Sequence, residues 1–174
     1  MATDSAKISV LAGKLFACIK ISGRANFTSG VDFRTLVSEL SRRGYTYFLL
    51  DLSECTLMDS TFLGVLAGFG LKMGAPQPGL CPPIELLNPN PRITELLDSL
   101  GIIHLFKVTH GQLALPEATE PQPHDPAAPT REETTQACLE AHQTLMEIHP
   151  GNVRRFKDVA QFLAEDLKRL QAET

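Results

Sequence analysis

The chain has 174 residues, 43% of them hydrophobic and 6% aromatic, with no tryptophan and a net charge of −4. That is enough apolar material for one ordinary core, and the length fits one domain with an appendage or two very small domains. Scattered basic residues on an acidic chain argue against nucleic acid or an anionic membrane as main partner, and so few aromatics leave little for base stacking.

Cys18, Cys55, Cys81 and Cys138 lie far apart with no C-x-x-C pair. Free, mostly buried thiols are expected, rather than a zinc site or a disulfide framework. The first residues carry an acid and no apolar core of a signal peptide, and no apolar run reaches the ~18 residues a membrane span needs. The expectation is a cytoplasmic chain with no direct membrane insertion.

In chain order, 7–11 and 14–21 read as two strands joined by a tight hairpin at Ala12-Gly13, and Ser22-Gly23-Arg24 breaks the pattern. A helix is expected from near Ser29, with Ser29 and Asp32 spaced as in a capping box. Phe33, Leu36, Val37 and Leu40 line one of its faces, and Gly44 suits its left-handed C-terminal position. Residues 45–51 form a strand buried on both faces, ending at Asp51. A short loop leads to Asp59-Ser60, where a nearly all-apolar helix runs from Ser60 to Met73. Gly64 and Gly68 lie one turn apart in it, a bare face that allows very close approach to a sheet, at roughly 1 kcal/mol of helix propensity per glycine.

The stretch 74–83, with four prolines and two glycines, is a loop. A short strand follows at 84–87. Asn90 caps the next helix, with Pro91 in its first turn and Gly101 at its end. The last strand is expected at 104–108. The order β-β-α-β-α-β-α-β implies a mixed, mainly parallel sheet with packed helices. The domain spans 1–109. Residues 110–130 hold five prolines and three acids without a base, a stiff linker. Residues 131–174 form a helical C-terminal extension of two amphipathic stripes broken at Pro150-Gly151-Asn152. They suit a helical hairpin, docking on the body, or a homodimer contact, and about 44 residues bury too little to stand as an independent domain.

Ser60 at a helix start just past a strand end is, on residue chemistry alone, an N-cap. Asp59 reads as turn chemistry and helix N-terminal charge. The Gly64–Gly70 run lacks the ending of a P-loop and the order of a dinucleotide fingerprint. The five histidines are dispersed and default to the surface, with His142 and His149 able to share a helix face. No catalytic group, metal site or cofactor is indicated.

Asp51-Leu52-Ser53 followed by Leu57-Met58-Asp59-Ser60-Thr61 and Leu63-Gly64 resembles the STAS family, which includes the bacterial anti-sigma-factor antagonists. Their signature is an Asp-Leu strand end, then Met-Asp-Ser-Ser-Gly-Leu-Gly entering a helix. The resemblance covers about 7–108, including the Gly23-Arg24 turn and the 88–100 segment. It implies a non-enzymatic regulator of transcription signalling that works by partner switching. The phosphoacceptor would be Ser60, with Thr61 as second hydroxyl. Asp59, Ser60, Thr61, Phe62 and Arg24 would form the partner surface. The partner would be an anti-sigma factor that is also a serine kinase and brings its own ATP. Two residues depart from the pattern: Thr61 replaces the second serine, and Phe62 stands where the family has glycine and either turns inward to pack or stands in the surface a kinase approaches. STAS domains without phosphorylation, such as accessory subunits of transporters, form the alternative class.

Overall fold

The computed structural model describes residues 5–112, 122–124 and 128–173. Seven strands form one mixed sheet: β1 Lys7–Ala12, β2 Phe16–Ala25, β3 Tyr47–Asp51, β4 Cys55–Met58, β5 Ile84–Leu87, β6 Lys107–Thr109 and β7 Gln122–Pro123. The helices are α1 Phe27–Arg42, α2 Ser60–Met73, α3 Pro91–Ser99, α4 Arg131–Ile148 and α5 Gly151–Ala172.

Strand order is β6-β5-β3-β2-β1-β7, with β4 paired to β2 outside this path. β1 and β2 are antiparallel, as a hairpin requires, whereas β2, β3, β5 and β6 are mutually parallel along the row. The crossovers through α1, α2 and α3 fix those directions. Burial alternates with the strand period of two. Ala17, Ile19, Ile21, Phe48, Leu50, Ile84 and Leu86 face the helices and join the main core. Leu11, Cys18, Leu49 and Leu87 form a smaller cluster on the opposite face. The helix-side core is ordered by rings: Phe33 lies 5.2 Å from Phe62 and 6.0 Å from Phe69, which lies 4.9 Å from Phe48.

The structure corrects several sequence expectations. β2 does not break at Ser22-Gly23-Arg24 but continues to Ala25. Gly23, at φ 94°, is a bulge where the strand leaves β3 and takes up β4 with a shifted register. β4 itself stands in the stretch read as a loop. α1 starts earlier than Ser29: Asn26 is its cap, and Ser29 is the third residue of a capping box with reciprocal bonds of 3.1 and 2.8 Å. Residues 103–105 form a 3₁₀ turn, so the last predicted strand is displaced to Lys107–Thr109. β7, which pairs with β1 at its free edge, lies inside the predicted linker; most of that linker is outside the described residues. A proline is tolerated there because an edge strand can spare a donor.

α4 and α5 form an antiparallel hairpin. Thr130 and Glu133 close a capping box at the start of α4. Leu139, Ala160 and Leu167 pack between the two helices. On its other side α4 lays Ala141 and Leu145 against α2 and into the main core. Asn152, 1% exposed, pins the turn: its amide donates to the Leu100 carbonyl at the end of α3 (2.9 Å) and to the Leu145 carbonyl near the end of α4 (2.8 Å).

Candidate functional site

The site is the N-terminus of α2. β4 delivers the chain to it, and β4 is tied down by the Asn90 amide, which donates to the Cys55 and Thr56 carbonyls at 3.1 Å each. The helix begins because Asp59, in extended conformation, accepts the Phe62 N–H at 2.8 Å. Asp59 is therefore the N-cap and Ser60 the first helical residue, not the cap the residue type suggested. The backbone N–H groups of Phe27 and Thr61 are also near enough to favour the charged form of the Asp59 carboxylate, which stands between the starts of α1 and α2. Burial raises its pKa above the ordinary carboxylate value, an effect opposed by those N–H donors and by the nearby His142.

With the cap formed by its neighbour, the Ser60 hydroxyl is left free to make a long-range contact. It lies 2.9 Å from His142 Nε2 on α4. His142 Nδ1 is 2.6 Å from the Cys138 carbonyl. A carbonyl only accepts, so Nδ1 carries a proton; in the neutral ring Nε2 is then the acceptor and Ser60 donates to it. The imidazole is 4% exposed and stacks edge-on to Phe156 of α5 at 5.3 Å. Sequence reasoning placed the histidines at the surface and missed this residue. The available signal was its position on the apolar stripe of Cys138, Ala141, Leu145 and Ile148.

The predicted site residues are split by the fold. Thr61 is 6% exposed, and its hydroxyl meets the Cys138 thiol of α4. Phe62 turns inward: it is 0% exposed and packs on Phe33, so it is no part of the surface. Arg24 is exposed at the end of β2 and lines a groove with Asp59, Asn26 and the half-exposed Phe27 ring. Asp59 and Arg24 thus share one open side of the helix start, while Ser60 and Thr61 face α4. The glycine face is also reassigned. A Cβ on Gly64 would lie 2.3 Å from the Ala141 carbonyl oxygen of α4, and Gly68 faces Thr144, so this bare face receives a helix and not the sheet.

Of the four thiols, all free, Cys18 and Cys55 are buried, Cys81 is exposed and Cys138 is intermediate. Burial is less general than expected because Cys81 lies in the 74–83 loop. Desolvation pushes the Cys18 and Cys55 thiols up to about 11. No cluster of metal-ligating side chains occurs among the described residues, and no helix among them is long and apolar enough to cross a membrane.

One solved structure similar to the chain is that of a protein from Thermotoga maritima described as a candidate anti-sigma factor antagonist, at 17% identity and a TM-score of 0.51, covering 61% of this chain and 87% of that one. The fold is that of the STAS domain. The anti-sigma factor antagonist SpoIIAA in its unphosphorylated form also matches, at 15% identity and a TM-score of 0.48, covering 60% of this chain and 89% of that one. No family model matches the sequence, and no curated protein matches it.

Proposed function

We propose that this protein is a regulatory, protein-binding STAS module of the anti-sigma-factor-antagonist type, and that the Ser60 hydroxyl is its switch. The observation that carries the reading is the placement of Ser60. It is the first residue of α2, directly after a capping aspartate at the end of β4, and its hydroxyl is held by a hydrogen bond that a modification would break. The partner is a protein, an anti-sigma factor with serine-kinase activity, and the nucleotide belongs to that partner. Exposed Arg24 and half-buried Asp59 form the accessible part of the recognition surface, and Thr61 is a secondary hydroxyl.

The electrostatics support a switch. A phosphate adds about −1.5 to −2 charges at neutral pH. The helix N–H group of Phe62 already serves Asp59. A phosphate on Ser60 therefore meets a carboxylate beside it and an imidazole 2.9 Å from the oxygen that carries it. It cannot be added without moving α4 or recruiting a protonated His142 as counter-charge. Either result changes the surface at the start of α2 without refolding the sheet.

A second reading, a constitutive accessory subunit of a larger complex, is favoured by the same contact, since α4 keeps the hydroxyl occupied. Intact mass and site mapping on the protein isolated from its own cells decide between them. One phosphate on the peptide containing Ser60, lost in Ser60→Ala, is the expected result. An unmodified chain under both growth and stress overturns the switch.

A further inference from the structure

α4 touches α2 at its backbone. A Cβ on Gly64 would sit 2.3 Å from the Ala141 carbonyl oxygen and 2.7 Å from the Ala141 Cβ, and its three nearest neighbours are all atoms of Ala141. The absence of a side chain at Gly64 is what lets a helix lie across α2 at this point. One turn on, Gly68 meets the Thr144 methyl group at 3.9 Å. Two glycines facing Ala141 and Thr144 bring the helices closer than ordinary side chains permit.

The seam is close at its centre and loosely made at its margins. The Ser60–His142 bond closes one end. Arg34 of α1 reaches Glu140 of α4 at 2.6 Å, with both side chains about half exposed. Arg34 and Glu140 line a pocket of about 270 Å³ whose wall also includes Ser38, Ser41, Lys72 and Thr144. Ser41 Oγ is buried there without a hydrogen-bond partner, and Lys72 makes no ion pair among the described residues. The rim of the groove thus presents two cations, Arg34 and Lys72, and α4 answers one of them. α5 packs chiefly on α4 and is tied to the body near its start, by Asn152 on the Leu100 carbonyl and by Phe156 against the core.

We propose that the Ser60–Lys72 face of α2, together with Arg34, is a helix-docking groove in which α4 is the resident occupant, and that a partner protein binds by inserting an acidic amphipathic helix in its place. This rests on the reading of the module as protein-binding. The incoming helix carries a small residue over Gly64, a hydrogen-bonding group at Ser60, and carboxylates opposite Arg34 and Lys72. The mode is helix-in-groove recognition, with small residues in place of the usual large apolar anchors. Partner affinity is then set by competition with a segment already present at high effective concentration.

The test uses the full chain and a fluorescent synthetic peptide of residues 130–149. Leu145→Asp places a carboxylate where α4 enters the core and detaches the hairpin. In that variant Cys138 should react with a thiol reagent at least about tenfold faster than in the wild type, while Cys18 and Cys55 stay protected. The variant should bind the peptide, and the wild type should bind it at least about tenfold more weakly, because its groove is filled. Leu145→Asp combined with Gly64→Val should not bind it. A peptide bearing Thr144→Glu, which aims a carboxylate toward Lys72, should bind about two- to fivefold tighter, the range of an exposed ion pair. If Cys18 and Cys55 become reactive together with Cys138, the hairpin is an integral part of the fold and the proposal fails. It also fails if Cys138 is freed but the peptide does not bind, or if the wild type binds equally well. A Thr144→Glu peptide that binds no tighter overturns the acidic character of the partner. No phosphate enters this experiment, so its failure and the failure of the Ser60 switch are separate results.

Discussion

Ser60 and His142 are 82 positions apart in the chain, yet each is the side-chain partner of the other. Removing either leaves the survivor in a partly or wholly buried setting, where an unmade hydrogen bond costs more than a made one gains. Ser60→Ala and His142→Ala should each destabilise the protein by about 1–3 kcal/mol, and the double variant by less than their sum. Urea unfolding of all four proteins checks this, with a coupling of about 1 kcal/mol expected. Asp59 makes a prediction of opposite flavour. Its folded pKa is raised by burial, so the folded state holds the proton more readily than the unfolded state does. Its contribution is therefore greatest below the unfolded carboxylate value and is lost as pH rises through the folded one. Asp59→Asn keeps the cap acceptor and removes that titration. Stability measured at stepped pH should fall for the wild type relative to Asp59→Asn as pH rises above about 4; parallel profiles would contradict this.

At the scale of elements, the decisive joint is the α4–α5 turn. Asn152 supplies both amide protons to carbonyls at the ends of two different helices, Leu100 after α3 and Leu145 in α4, the latter also accepting the His149 N–H at 3.3 Å. Asn152→Ala strips both and leaves the carbonyls buried. A loss of about 2 kcal/mol is expected, together with faster reaction of Cys138, because the turn then loses its tie to the end of α3. Asn152→Asp keeps the shape and removes the donors, so it should be no better. The start of α2 follows a similar economy. Asp59 caps it, Asn90 secures β4 before it, and Ser60 is released from capping for contact with α4.

For the whole molecule, the sheet and α1–α3 share one core with the inner face of α4, and α5 reaches it through Phe156 near its start. α5 also keeps Val159 and Phe162 exposed, the latter at 62%. Openings that release α5 need not disturb the sheet. Amide exchange in α5 should therefore proceed at lower opening free energy than in β3, whose Phe48 and Leu50 are fully buried. Equal protection in both would make the molecule a single cooperative unit and would weaken the case for a displaceable hairpin.

What the residues determined by themselves was local. Apolar runs bounded by turn residues placed β3, α2 and β5, and the 3.6-residue spacing of Ile93, Leu96, Leu97 and Leu100 placed α3, at or close to their observed limits, because short-range sterics carry that information. The Asn90-Pro91 cap was legible for the same reason, and the STAS pattern around Asp59-Ser60 led to the fold. β4 was hidden because four residues beside a turn show no period, and their strand character comes from pairing with β2 beyond the Gly23 bulge. β7 exists by virtue of the β1 edge alone. Only the tertiary structure decided that Phe62 is core, that Thr61 and Ser60 face α4, and that Gly64 receives Ala141. No local rule couples residue 60 to residue 142, since the contact depends on where a hairpin far along the chain settles. That placement follows from apolar area and close packing summed over whole surfaces, quantities that a single stretch of sequence does not contain.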